Sequence, residues 1–401
     1  MTDHRKYFER YAYGPPIFPG YTPGEVPLVI VLPSYQESGL CHAVQSLAAC
    51  DPPGFDVVLL VVVNEPEDCE ATLSKINQDS IRALEALVLP PFLHLKLHYA
   101  RLPSKKAGVG LARKIGMDEA ARWFNDTGKN GIITCFDADC RCAPNFLQAI
   151  AQYFTGQMDA GIVFYEHPLE HQEILKYELF LRYHIDALRY AGFPYAYQTL
   201  GSCISVRTDA YLKHGGMNTR KAGEDFYFLH KIIPHCRFGE INMTTIYPSS
   251  RQSDRVPFGT GKAITRIANE VSYQVYAPQA FEALKVFFNQ AAGFYPSREV
   301  QLPESIQAFH EENDFSSALE EMKVSSTTPE VFKKKFFAWW DAFRALKYVH
   351  FARDHYFPNI PLEEAITWLD GQLWQLELEG SSMQEQLQQI RFWDRSYPAP
   401  S

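Results

Sequence analysis

The chain has no uninterrupted apolar run of the roughly 18 residues that a membrane-crossing helix needs. Its longest, Val57 to Val63, is of strand length. Positive charge is not in excess either. Lys and Arg number 38 against 47 Asp and Glu, for a net charge of -9, so a protein that grips nucleic-acid phosphates with clustered cations is not expected. Cysteine is sparse, eight residues with no CxxC pair, which suits reduced thiols and offers zinc no second ligand pair beside Cys140 and Cys142. Met1 to Pro16 lacks the apolar core and cleavage site of a secretory signal, so the cytoplasm is the expected location, with a peripheral position on a membrane surface as the alternative. No internal repeat and no low-complexity tract breaks the sequence.

Three familiar nucleotide and hydrolase signatures are also missing. Gly108-Val109-Gly110 opens a helix, but Arg113 stands where a dinucleotide fingerprint has its third glycine, and the segment follows the third strand rather than the first. Gly259-Thr260-Gly261-Lys262 resembles the end of a phosphate-binding P-loop, yet Val256 and Ala263 replace its first glycine and its hydroxyl residue. No GxSxG marks a nucleophile elbow.

What is present, in 401 residues with 46% hydrophobic and 21% charged content, is a soluble globular composition long enough for two or three domains. Pro27 to Leu32 and Asp56 to Val63 read as strands buried on both faces, the second broken by Asn64-Glu65-Pro66. Leu93, Leu95, Leu97 and Tyr99 alternate with polar residues as a third strand. Helical periods lie between them: Leu73, Ile76, Leu84 and Leu87 on one helix, Met117, Ala120, Ala121 and Phe124 on another. Strand, helix, strand, helix over the first third of the chain predicts a doubly wound α/β sheet, in which ligands bind beyond the carboxyl ends of the strands. From Ala263 onward helices predominate. Residues 1–25 read as a leader, 26–262 as the α/β body and 263–401 as a mainly helical accessory region. Thr328-Pro329 opens a helix to about Arg353 whose stripe of Phe332, Phe336, Trp339, Trp340 and Phe343 suits packing onto the body, or a membrane face or partner groove.

The stretch Gly131 to Cys142, GIITCFDADCRC, carries the chemistry. A short strand ends by delivering Asp137 and Asp139, and on an extended segment residues two apart share a face. Alone, the pair is a solvated turn or a cation site, since oxygen ligands of this kind suit Mg2+ or Mn2+. Glu37, Asn64 and Arg113 also follow strand ends and would converge with the pair on one rim. Glu224-Asp225 begins a helix, where acids are ordinary complements to the dipole. The loop from Tyr247 to Lys262 carries Arg251 and Arg255, a solvated basic loop or a phosphate clamp.

Taken in order, VLPSYQES, VVVN, KKAGVGLARKIGMDEA, FDADC, GSCISVRTDAYLKHGG and GEDFYF resemble the family 2 glycosyltransferases, over roughly Val26 to Gly261. The resemblance implies the GT-A fold, a mixed and mostly parallel sheet flanked by helices, with a nucleotide-diphospho-sugar donor, Mn2+ or Mg2+, and inversion at the anomeric carbon. It implies that Pro33, Tyr35 and Glu37 border the base and ribose, and that Arg113 and Lys106 serve the nucleotide side. Asp137 and Asp139 would hold diphosphate and metal, with Asp139 the direct ligand, Arg251 and Arg255 would help grip the diphosphate, and Asp225 of the Glu224-Asp225 pair would be the general base. Asn64 departs from the acid that many members place there, which leaves the nucleotide open. A QxxRW-like signature is absent, so single transfer rather than polymerisation is expected. The acceptor, a glycan, lipid-linked or small molecule, would meet the segment Tyr183 to Tyr197 and the C-terminal helices. A retaining transferase of the same fold and a catalytically silent sugar-nucleotide or glycan-binding scaffold are the alternatives.

Overall fold

The computed structural model describes residues 4–251, 259–270, 272–295 and 300–397. They divide into two compact units: Met1–Glu170 with Thr199–Ala263, and His171–Gln198 with Ile264–Ser401. Among the described residues no helix is long and apolar enough to cross a membrane.

The first unit is built on eight strands: β1 (Leu28–Ser34), β2 (Val57–Pro66), β3 (Leu93–Leu102), β4 (Ile132–Cys135), β5 (Arg141–Cys142), β6 (Ala160–Tyr165), β7 (Ile204–Arg207) and β8 (Phe238–Tyr247). They form one mixed sheet in the order β3-β2-β1-β4-β7-β6-β8-β5. The first four strands run parallel, β6 pairs β8 in parallel, and β7 is antiparallel to both of its neighbours. Every residue of β1 is buried, as is β2 as far as Glu65. Unbroken aliphatic runs are what a strand covered on both faces requires.

Two strand ends differ from the sequence reading. Strand β2 does not stop at Val63; it stays in register with β3 through Asn64↔Ala100 and Pro66↔Leu102, because a proline at the last position of a strand removes no bond the sheet needs. After β4 the backbone does not stay extended. Cys140 donates its N–H to the Asp137 carbonyl at 3.1 Å, so Asp137 and Asp139 occupy a turn rather than alternate positions of a pleat.

Helix Val109–Asp126 lies against β1 and β2. Gly116 makes that contact possible, since a Cβ there would sit 2.4 Å from Val31 Cγ1. The N-terminal segment is strapped to the same helix. Tyr7 and Tyr211 donate their hydroxyls to Asp118 Oδ1, each at 2.6 Å, and Lys114 Nζ lies 2.9 Å from Asp118 Oδ2. Glu119 accepts the N–H groups of Ile17 and Phe18.

The second unit is helical. Helix Gln172–Tyr190 packs with helix Met383–Ser396 through a buried ionic network in which Arg182 meets Glu178 and Asp394, and Arg189 meets Asp186 and Asp394. Thr328 caps helix Pro329–Trp339 by accepting from Val331 N–H. That helix does not continue to Arg353. It ends at Trp339, and Asp341 caps a second one, Ala342–His355, by accepting from Arg344 N–H. Phe332, Phe336 and Trp340 are buried and face Phe287, Phe294, Phe315 and Tyr295 of their own unit. The buried members of the stripe are thus core of the helical unit.

Candidate functional site

Strands β2 and β4 flank β1, with their first connections leaving in opposite directions, so the carboxyl ends of β1 and β4 form the topological switch point of the sheet. Glu37 follows β1 and Asp137 follows β4. Helix Val109–Asp126 brings Arg113 to the same place from its second turn, and the guanidinium is enclosed there. Its Nη2 donates to Asp137 Oδ1 at 2.6 Å, and its Nη1 donates to Glu224 Oε1. One planar fork thus joins the turn after β4 to the helix Glu224–Ile232, which lysine's point charge would not do. The backbone of Gly201 lies against it, and a Cβ at that position would come within 2.7 Å of Nη1.

Glu224 is buried and Asp225 half-buried at the helix N-terminus, entered through Gly223 in the left-handed region at φ 70°. Asp225 Oδ1 accepts from Phe226 N–H at 2.8 Å. Burial raises the pKa of Glu224, with Asp225 adding to the shift and Arg113 opposing it. Burial raises Asp225 as well, against Arg113 and with Asp137. For Arg113 burial works against the charge, but Asp137 and Glu224 outweigh it and its pKa rises. This is therefore a carboxylate cluster kept together by one cation.

A second cation stands across the rim. Arg251 donates from Nη1 to Glu37 Oε1 at 2.9 Å and from Nη2 to Glu37 Oε2, and Nη2 is 3.5 Å from Asp139 Oδ2. Glu37 is buried and also accepts Gly39 N–H at 2.8 Å, while Arg251 is more open, its side chain 40% exposed. The Arg251 pKa is raised by the hydrogen bonds to Glu37, with burial opposing.

The other sequence candidates fall in different places. Pro33 is buried within β1, opposite Val62. Tyr35 is half-buried and its hydroxyl accepts from Gln36 Nε2 at 2.7 Å. Asn64 is buried and donates from Nδ2 to the Ser34 carbonyl at 3.0 Å, tying β2 to the end of β1. Lys106 is exposed and makes no side-chain hydrogen bond or ion pair among the described residues. Arg255 lies outside the described residues. The glycines before Arg113 allow close packing, since a Cβ on Gly110 would lie 2.0 Å from the Arg220 carbonyl oxygen, and one on Gly108 3.3 Å from Lys221 Cα. They let the loop leading to Glu224 cross the helix start.

Residues that the sequence motifs did not single out complete the site from behind. Glu65 is buried at the end of β2 and accepts from Ser74 and Asn77. Asn77 also accepts Gln36 N–H. The signal available was the spacing of Ser74, Asn77 and Ser80, three polar residues at helical period, but Leu73 and Ile76 competed for the same helix and drew the face toward them.

Five carboxylates (Glu37, Asp137, Asp139, Glu224, Asp225) and two guanidinium groups (Arg113, Arg251) thus share the rim. Asp137 and Asp139 each keep about a third of the side chain exposed, 33% and 34%. A negative excess with two accessible oxygen donors fits a hard divalent cation. Among the described residues no three His, Cys, Asp or Glu side chains are grouped as a complete ligand set, so the remaining ligands would be water or substrate oxygens, as Mg2+ and Mn2+ commonly take.

No family model and no curated protein matches this sequence. Among solved structures, residues 1–349 of Staphylococcus aureus TarS in complex with UDP-GlcNAc are 16% identical over 86% of this chain and 92% of that one, with a TM-score of 0.41. The mannosyltransferase PcManGT from Pyrobaculum calidifontis, in complex with GDP-Man and Mn2+, is 15% identical over 98% of this chain and 93% of that one, with a TM-score of 0.39. Both overlaps are distant in identity and in superposition, and they assign no residue of this chain a role.

Proposed function

We propose that the chain is a metal-dependent glycosyltransferase of GT-A type, related to family 2, that moves a single sugar from a nucleotide-diphospho-sugar to an acceptor with inversion. The observation that carries this reading is the Asp137–Arg113–Glu224 bridge at the switch point of the sheet, with Asp225 beside it and Asp139 beside Arg251. It supports a donor diphosphate bound at the turn after β4 and an acceptor activated at the start of helix Glu224–Ile232.

Asp137 and Asp139 would hold Mn2+ or Mg2+, which stabilises the negative charge that develops on a leaving diphosphate. Arg113 has a different role. Its fork keeps Asp137 oriented, and by pairing with Glu224 it occupies the other carboxylate of the helix start and leaves the acceptor proton to Asp225. Asp225 receives that proton. Its raised pKa makes it a stronger base than an ordinary aspartate, and the attack of a positioned hydroxyl assisted by such a base gains on the order of 100- to 10,000-fold. Arg251 offers a guanidinium fork suited to phosphate oxygens, and the same fork pairs with Glu37.

The test is nucleotide release from a panel of UDP- and GDP-sugars, each with Mn2+ and with EDTA. Metal-dependent turnover that Asp139→Ala abolishes is expected. Turnover unchanged in Asp139→Ala, or no donor turned over or bound at all, would overturn the reading. An NMR spectrum of the product anomer then decides between inversion and retention.

A further inference from the structure

On its buried side helix Ala71–Glu85 sets polar residues beside the apolar Leu84, which is fully buried. Ser74, Asn77 and Ser80 are three residues apart and so line one side, and Asn77 is buried, at 1% exposure, while Ile76 is left 36% exposed. All three side chains are engaged. Ser74 Oγ donates to Glu65 Oε1 at 3.1 Å and Asn77 Nδ2 donates to Glu65 Oε2 at 3.0 Å. Asn77 Oδ1 accepts Gln36 N–H at 2.7 Å, and Ser80 Oγ donates to the Glu37 carbonyl at 3.0 Å. The loop held by these bonds is unusual. Gln36 has φ 49°, in the left-handed region, which a residue with a side chain occupies only where its surroundings impose it. Glu65 stays ionised in spite of burial because Tyr99, Asn77 and Ser74 hydrogen-bond to it, and its pKa is lowered.

We propose that Asn77 is a positioning residue for donor binding. It passes the fixed end of β2, through Glu65, to the backbone of Gln36, and so holds the loop Ser34–Glu37 in the conformation in which Glu37 receives Arg251. The ligand whose affinity it sets is the nucleoside diphosphate part of the donor, and in this respect the proposal rests on the functional reading above. A polar residue at a buried helix position has no packing reason to be there. A donor and an acceptor used on two different partners give it one.

The test exploits the two-way hydrogen bonding. Asn77→Ala removes both bonds, and Asn77→Asp sets a second carboxylate against Glu65. In the double variant Glu65→Gln/Asn77→Asp the new amide donates to the new carboxylate, which accepts Gln36 N–H as before, while position 65 still accepts from Ser74. UDP and GDP are titrated by calorimetry in the presence of Mn2+, and hydrogen exchange of the Gln36 amide is followed without nucleotide. Expected are about tenfold weaker nucleotide binding for Asn77→Ala and Asn77→Asp, equal to about 1.4 kcal/mol, recovery to within about twofold in the double variant, and Gln36 protection that falls and returns in parallel. With a donor in hand, KM should rise in Asn77→Ala at unchanged kcat. Nucleotide binding equal to wild type in Asn77→Ala, or a double variant no better than Asn77→Asp, overturns the proposal. If wild type binds neither nucleotide while Gln36 protection still follows the variants, the sugar-transfer reading fails and Asn77 remains the clamp of the loop; unchanged protection refutes the clamp itself.

Discussion

Replacing Arg113 by methionine keeps most of the side-chain volume and removes the one cation that Asp137 and Glu224 share. Breaking a buried ion pair by deleting one partner typically costs about 3–5 kcal/mol. Glu224 is buried, but the Asp137 side chain is 33% exposed and recovers part of its hydration, so about 3 kcal/mol is expected at neutral pH. For a unit of this size a loss of that order lowers Tm by about 6–12 °C at roughly 2–4 °C per kcal/mol. The pH dependence identifies the cause. Glu224 and Asp225 have folded-state pKa values above their ordinary 4.5 and 3.8, so protonation favours the folded state. Their contribution is fully present below those ordinary values and is lost as pH rises through the raised ones. Arg113 opposes both shifts, so its removal carries the window to higher pH. The Tm gap between wild type and Arg113→Met should therefore narrow as pH falls from 8 toward 5, and adding Glu224→Gln to the variant should recover much of it. Scanning calorimetry can follow the transition. A gap below about 2 °C, or one that does not change with pH, would refute the view that these carboxylates depend on one guanidinium.

Asp225→Asn should lower kcat by about 100- to 10,000-fold while leaving calorimetric affinity for the donor nucleotide within about threefold. In wild type the acid limb of the pH–rate profile should lie above the ordinary aspartate range, because the raised pKa means the base is lost to protonation at higher pH. Arg251→Ala should weaken nucleoside diphosphate binding about tenfold, by the removal of one phosphate-matched fork, with no matching loss for the nucleoside; equal losses for both would assign Arg251 to the loop fold instead. Gly201→Ala should destabilise by about 1–3 kcal/mol through overpacking, since its Cβ would meet the Arg113 guanidinium at 2.7 Å, and unchanged melting would show that the fork has room to move.

The aliphatic runs at Leu28–Leu32 and Val57–Val63 were sufficient to locate the two central strands, because a segment buried on both faces has to be apolar throughout whatever its neighbours are. The cap at Thr328 was legible for a similar reason: a hydroxyl followed by proline meets the needs of a helix start locally. Asp137 and Asp139 were legible as candidates, but not their partners. Arg113 and Glu224 are separated by 111 residues, and Arg251 and Glu37 by 214. No local period connects such pairs; only the strand order brings them together. The same limit explains the misreadings. Asn64 looked like a break because its side chain is polar, yet the strand continues through it, since the Asn64 amide finds the Ser34 carbonyl on the adjacent strand. Leu73, Ile76, Leu84 and Leu87 looked like the buried face of their helix, and Leu84 is buried, but a charged, buried Glu65 at the end of β2 required hydrogen-bond donors and turned Asn77 inward where Ile76 was expected. The sequence by itself determined where strands and helices form and which residue types are available for chemistry, because those depend on burial pattern and local backbone preference. The tertiary structure alone decided which carboxylate meets which guanidinium, and hence which charges are held, because that depends on contacts between segments 24 to 214 residues apart.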